Sequence, residues 1–194
     1  MSAKINVWSV LRGHLATMRH HTEDRVSIVD LTVFFVCPAV VAVVVYLARL
    51  PFTDGLVSAL VNASAILLGL LLNLLVLMFD QKSKAADLLD KLTAPQPAPS
   101  RNRPALPPPP VDRINRLRLR ATVISESVAN ISFSVLLCIS SLVSLLAFSM
   151  RRGALPVDRV ESFAYAFNVF IWITVSLTIL MVIKRVFVLF TTSP

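Results

Sequence analysis

Charge is scarce in this chain of 194 residues: 15% are Asp, Glu, Lys or Arg, while 56% are apolar. A soluble globule is nearer a quarter charged. A core this small could not hide so much apolar surface, so lipid is expected to be the solvent for much of it. Glycine is scarce too, with 4 residues, and no P-loop or GxGxxG is present. HExxH and GxSxG are also missing, and nothing pairs a nucleophile with a base, so neither an enzyme nor a cofactor is expected. Aromatics make up 8% and do not interleave with basic residues. That argues against a single-strand nucleic-acid platform. The two cysteines, Cys37 and Cys138, lie in separate apolar runs with no CxxC pair. They read as small buried apolar residues rather than metal ligands or a disulfide. His14 stands apart from the adjacent pair His20 and His21, which cannot share a helical face, so no metal site is expected there.

What is abundant is long apolar sequence. Four runs reach the ~20 residues that cross a hydrocarbon core: Leu31 to Leu50, Leu56 to Phe79, about Val128 to Phe148, and about Phe163 to Ile183. Each must be helical, because a lone strand in lipid leaves its backbone groups unpaired. That constraint overrides the β-branched run Val43-Val44-Val45. Residues 1–30 carry charges throughout and lack the apolar core of a cleaved signal, so the first run is expected to act as an uncleaved signal anchor. Pro51, Asp54 and Gly55 predict a tight turn between spans one and two. Arg151, Arg152, Gly153 and Pro156 predict another between spans three and four.

Between spans two and three the character changes. Eight of the 12 prolines fall between Pro95 and Pro110, which reads as a stiff polyproline-type connector. Ala85, Leu88, Leu89 and Leu92 share one helical face before it. Ile114, Leu117, Ala121, Ile124 and Val128 step by three and four after it. Span two is therefore expected to continue to about Leu92 and span three to begin near Val111, forming an antiparallel stalk with the prolines at its tip. Ile5, Trp8, Leu11, Leu15 and Met18 share a face near the start and predict an amphipathic helix. Headgroup burial and packing on the stalk are both open to it.

Basic residues set the orientation. Residues 1–30 carry four, the central segment nine, and Lys184 and Arg185 follow span four; the two short turns hold only Arg49, Arg151, Arg152 and Arg159. The fifteen therefore face the cytoplasm, with both termini. The expected organisation is a cytoplasmic amphipathic segment over 1–30, a transmembrane hairpin over 31–80, a cytoplasmic stalk over 81–127 with its tip at 95–110, a second hairpin over 128–183 and a cytoplasmic tail over 184–194.

The span centres hold no ionisable group, which argues against a proton-coupled transporter. Uncharged polar residues are ordered instead. Asn62, Ala65, Gly69 and Asn73 form a stripe in span two. Ser127, Asn130, Ser134, Ser141 and Ser144 form one in span three, and span four adds Asn168 and Ser176. These residues serve as helix–helix glue, within or between subunits, or as a polar lining that becomes a water path when an oligomer rearranges. Pro38 predicts a kink in span one. Arg113, Arg116 and Arg120 share a face, with Arg118 beside them. They either bind lipid phosphates, a nucleotide signal or an acidic partner, or set orientation and pair with Asp80, Asp87 and Asp90 across the stalk.

Several strings carry a resemblance: Val29-Asp30-Leu31 leading to Pro38, the run Gly69 to Leu77, Ala129-Asn130-Ile131-Ser132, and Lys184-Arg185-Val186 closing span four. Together they resemble small four-span bacterial membrane proteins encoded beside phage-defence genes, such as the membrane component of Kiwa-type systems. The resemblance touches all four spans, and the proline-rich connector departs from it. It implies an oligomeric inner-membrane protein that senses infection or damages the membrane with a cytoplasmic partner.

The expectation is thus an all-α, four-span bundle with a cytoplasmic helical hairpin and an N-terminal amphipathic helix. Its partners would be the bilayer, further copies of itself and a cytoplasmic protein, with no nucleic acid. Two other functions stay open: a non-catalytic scaffold that recruits a soluble partner through the Pro-rich loop, and a small channel or transporter.

Overall fold

A computed structural model describes residues 7–16, 32–49, 53–94, 111–151 and 158–191. Every regular element among them is helical. Helix α1 is Val7–Ala16. A π-helical turn over Thr32–Val36 leads into α2, Cys37–Ala48. Helix α3 is Asp54–Thr93, α4 is Val111–Arg151 and α5 is Asp158–Thr191. The connector 95–110, both predicted turns in their central residues, and His20 and His21 lie outside the described residues.

Three helices are long and apolar enough to cross a membrane: α3, α4 and α5. The chain is on this ground a membrane protein. The first apolar run is shorter than expected, spanning Thr32–Ala48. It ends because Arg49 turns into the left-handed region at φ 47°, donating its N–H back to Tyr46 O. Pro38 sits in the first turn of α2, just after the π turn. Proline has no N–H to donate, so the irregular turn absorbs a missing bond that would otherwise break a regular helix.

The two long helices begin and end close to where periodicity put them. Thr53 caps α3, its hydroxyl accepting from Leu56 N at 3.4 Å, and Asp54 follows in the first turn, where an acid suits the helix dipole. At the other end Ala94 N–H closes on Asp90 O, and prolines follow at once. Beyond the apolar run Ala85 remains buried on α3, while Leu89, Leu92, Ile114, Leu117 and Ala121 are half-buried.

The packing order is not the chain order. Helix α4 packs on α3 and on α5, α5 packs also on α2, and α1 lies against α4. Among the described residues α2 does not pack on α3, its neighbour in sequence. The apolar helices therefore form a row, α3–α4–α5–α2, rather than a ring closed by contact between α2 and α3. One core layer joins Leu71 of α3, Ile131, Val135 and Cys138 of α4, and Ile171, Val175 and Val182 of α5. A second joins Val57 to Leu145 and Phe148. Burial follows the row: 44% of the apolar window is buried in α4 and 39% in α5, but 11% in α3. Cys138 is buried as expected, whereas Cys37 is exposed, because α2 covers only one side of α5 and leaves its other side open.

Candidate functional site

The polar residues of the three long helices separate into two sets that point in opposite directions. Asn130, Ser134, Ser141 and Asn168 are buried between helices. Asn62, Gly69 and Asn73 lie on the exposed face of α3. The stripe expected in span two is thus exposed, and the one expected in span three is buried.

The inner set centres on Asn168 of α5. Ser141 donates its hydroxyl to Asn168 Oδ1 at 2.7 Å, and Asn168 Nδ2 donates to Ser144 Oγ and to Ala164 O, both at 2.9 Å. An amide has two donors and a strong acceptor, and here each end meets a partner across the α4–α5 seam or in its own helix. Thr174 and Thr178 instead donate to their own helix, to Phe170 O and Thr174 O. The hydroxyls of Ser64 and Ser134 and the indole N–H of Trp172 are buried with no hydrogen-bond partner among the described residues.

Asn130 belongs to a different contact, which sequence reasoning missed. His14 of α1 is fully buried; its Nδ1 donates to Asn130 Oδ1 at 2.8 Å, and its ring stacks on Phe133 with centroids 4.0 Å apart. Gly13 lies against α4, where an added Cβ would stand 3.4 Å from the Ala129 side chain, an ordinary contact. Burial holds the imidazole below its ordinary pKa of 6.5; the bond to Asn130 opposes this and the Arg185 charge reinforces it. Helix α1 packs on α4 with Trp8 exposed, the Arg12 guanidinium 5.6 Å from its ring centroid. A histidine in an amphipathic pattern reads as polar, so the apolar stripe drew attention away from His14. The signal that was present is the Gly13-His14 pair, a small residue beside a flat ring.

One ion pair ties α4 to α5 near the first charged residues after the apolar runs. Arg185 Nη1 donates to Glu126 Oε2 at 2.6 Å, both side chains being mostly covered. The cross-stalk pairing expected for the arginines is not found among the described residues. Asp80 pairs instead with Lys84 of its own helix at 2.6 Å, because an i,i+4 partner is always within reach. Arg113, Arg116, Arg118 and Arg120 are all exposed. Among the described residues no three His, Cys, Asp or Glu side chains form a metal-binding group.

Among the described residues the outer set has no such partners. Asn62 and Asn73 stand about 8 Å on either side of the middle of the apolar run Leu56 to Phe79, at ~1.5 Å per residue. That is well inside a hydrocarbon core about 30 Å thick. Between them Gly69 is uncovered, since a Cβ there would meet nothing within 4 Å. No family model, no curated protein and no solved structure matches this chain.

Proposed function

We propose that this chain is a four-span, oligomeric component of a bacterial inner membrane, with both termini and the proline connector in the cytoplasm. It acts without catalysis, in anti-phage defence, as a sensor or membrane-perturbing effector together with a cytoplasmic protein partner. The observation that carries the oligomer is the outward face of α3. Asn62 and Asn73 are exposed at membrane depth, where an unpaired amide costs several kcal/mol. A second copy offers the complementary group, because an amide both donates and accepts, and Gly69 lets the two backbones approach. The open row of helices leaves that face free for it.

The fourth span is Thr32–Ala48, whose 17 residues meet the lower limit for a crossing helix. The excess of basic residues supports a cytoplasmic position for the ends of α3 and α4 around the connector. The defence setting rests on the resemblance of the four spans described above. Bundle rearrangement, driven by a partner at the connector end of α3 and α4, is the mechanism that these parts support.

The test is expression with the neighbouring genes under phage challenge, read as membrane potential and plaque count. A potential change with protection is expected, lost in the double variant Asn62→Leu, Asn73→Leu. Unchanged potential and no protection would remove the defence reading. A monomeric mass in detergent and in nanodiscs would remove the oligomer.

A further inference from the structure

A recess of about 190 Å³ opens between α3, α4 and α5 at the end of the membrane where Asp80, Glu126 and Lys184 begin the charged sequence. Leu77, Met78, Ile124 and Val186 supply its apolar wall, and Gln81, Arg120 and Ser127 its polar atoms. An apolar cavity of about 150 Å³ takes up a molecule of benzene size, so this one admits a segment of an acyl chain.

Three observations identify the occupant. First, the wall is continuous with the lipid-exposed surface, since Leu77 is exposed. Second, the acids nearest to it already have partners, Glu126 in Arg185 and Asp80 in Lys84, so neither is left to neutralise Arg120. Third, Arg120 is exposed and forms no ion pair or hydrogen bond with a described residue, and Arg116 lies one turn away on the same helix. The Ser127 hydroxyl does not compete for a ligand, being committed to Val123 O at 2.9 Å. The recess is thus apolar on the membrane side and carries an unbalanced guanidinium at headgroup depth. A planar guanidinium grips phosphate oxygens in pairs, and basic pockets between spans bind anionic headgroups.

We propose that this recess binds one anionic phospholipid of the adjoining leaflet, with its phosphate on Arg120 and an acyl segment against Leu77, Met78, Ile124 and Val186. The site requires only that α3, α4 and α5 are embedded, and it stands whether or not the chain forms oligomers. Occupancy would fasten the three helices together at the base of the α3 and α4 extensions, where a partner's pull would arrive.

Native mass spectrometry of the full chain, stripped of lipid in detergent and then titrated, tests it. The probes are phosphatidylglycerol and phosphatidylcholine with identical chains, and inorganic phosphate as competitor. One phosphatidylglycerol per chain should be retained more tightly than phosphatidylcholine, whose choline cation competes with Arg120 for the phosphate that both lipids carry, and Arg120→Gln should weaken phosphatidylglycerol at least about tenfold, the loss of a charged hydrogen bond. Arg120→Gln should abolish that preference, and Val186→Phe, which fills the recess, should weaken both lipids. Arg113→Gln, two turns away, should leave retention unchanged, and circular dichroism should show all three variants helical. Equal retention of the two lipids, an unaltered preference in Arg120→Gln, or displacement of the lipid by millimolar phosphate would overturn the proposal. The last result would mark a free phosphate site instead.

Discussion

Replacing Asn168 with leucine isolates what the inner polar seam does. The change keeps the number and branching of the side-chain heavy atoms, though the two methyls are bulkier than the amide, and removes two interhelical hydrogen bonds, to Ser141 and to Ser144. In a membrane such bonds contribute roughly 0.6 kcal/mol each on average and about 1.7 at most. The expected loss is therefore about 1.2 kcal/mol, with a ceiling near 3.4. The third bond, to Ala164 O, adds little, because that carbonyl also serves its own helix. The stranded hydroxyls are not left unpaired. Ser144 already reaches Ser141 O, and Ser141 can turn to the carbonyl one turn back, as Ser127 does to Val123. Steric-trap unfolding in bicelles measures the loss. A double-mutant cycle with Ser141→Ala should give a coupling near 0.6 kcal/mol. Zero coupling, with unchanged stability but altered ion leak, would refute the glue reading and favour a water path.

Other consequences are open to measurement. The depressed pKa of His14 makes docking of α1 fully stable above about 6.5, and that stability falls away as pH drops below it, because the undocked histidine takes up the proton. Hydrogen exchange of Val7–Ala16, corrected for intrinsic rate, should accelerate between pH 7.5 and 5.5, and His14→Gln should flatten the response. Gly13→Ala should keep α1 docked and gain up to about 1 kcal/mol of helix propensity, whereas Gly13→Leu should free it, again read by exchange. In a background lacking Cys37 and Cys138, an impermeant maleimide should label Trp8→Cys and Asp54→Cys from opposite sides of the membrane; labelling from one side would mean that Thr32–Ala48 does not cross. Asn73→Leu alone should lower the oligomeric mass in detergent without changing helix content.

The long helices were legible because lipid leaves the backbone no alternative to helix, and proline and threonine mark their ends. Ala94 and Val111 bracket the connector within three residues of the periodic stripes. The side-chain partners were harder to read. Spacing placed Asn62, Gly69 and Asn73 on one face, and Asn130, Ser134 and Ser141 on another, but a stripe carries no sign telling whether it turns inward or outward. Glu126 lies 59 positions from its partner Arg185, which could be chosen only by the packing of α4 on α5. The aspartates expected to meet the arginines across the stalk did not do so, since Lys84 reaches Asp80 at lower entropic cost within one helix.

Sequence by itself determined that this protein dissolves in lipid and that α3 and α4 run some forty residues each. Both follow from local rules, hydropathy and backbone hydrogen bonding, that need no partner. Tertiary structure alone decided that α2 docks on α5 rather than on its neighbour α3, that His14 enters the seam beside Asn130, and that two amides are left facing outward. Those outcomes depend on which apolar faces meet, and in a chain where nearly every face is apolar, hydrophobicity does not distinguish one pairing from another; small residues, hydrogen bonds and shape do.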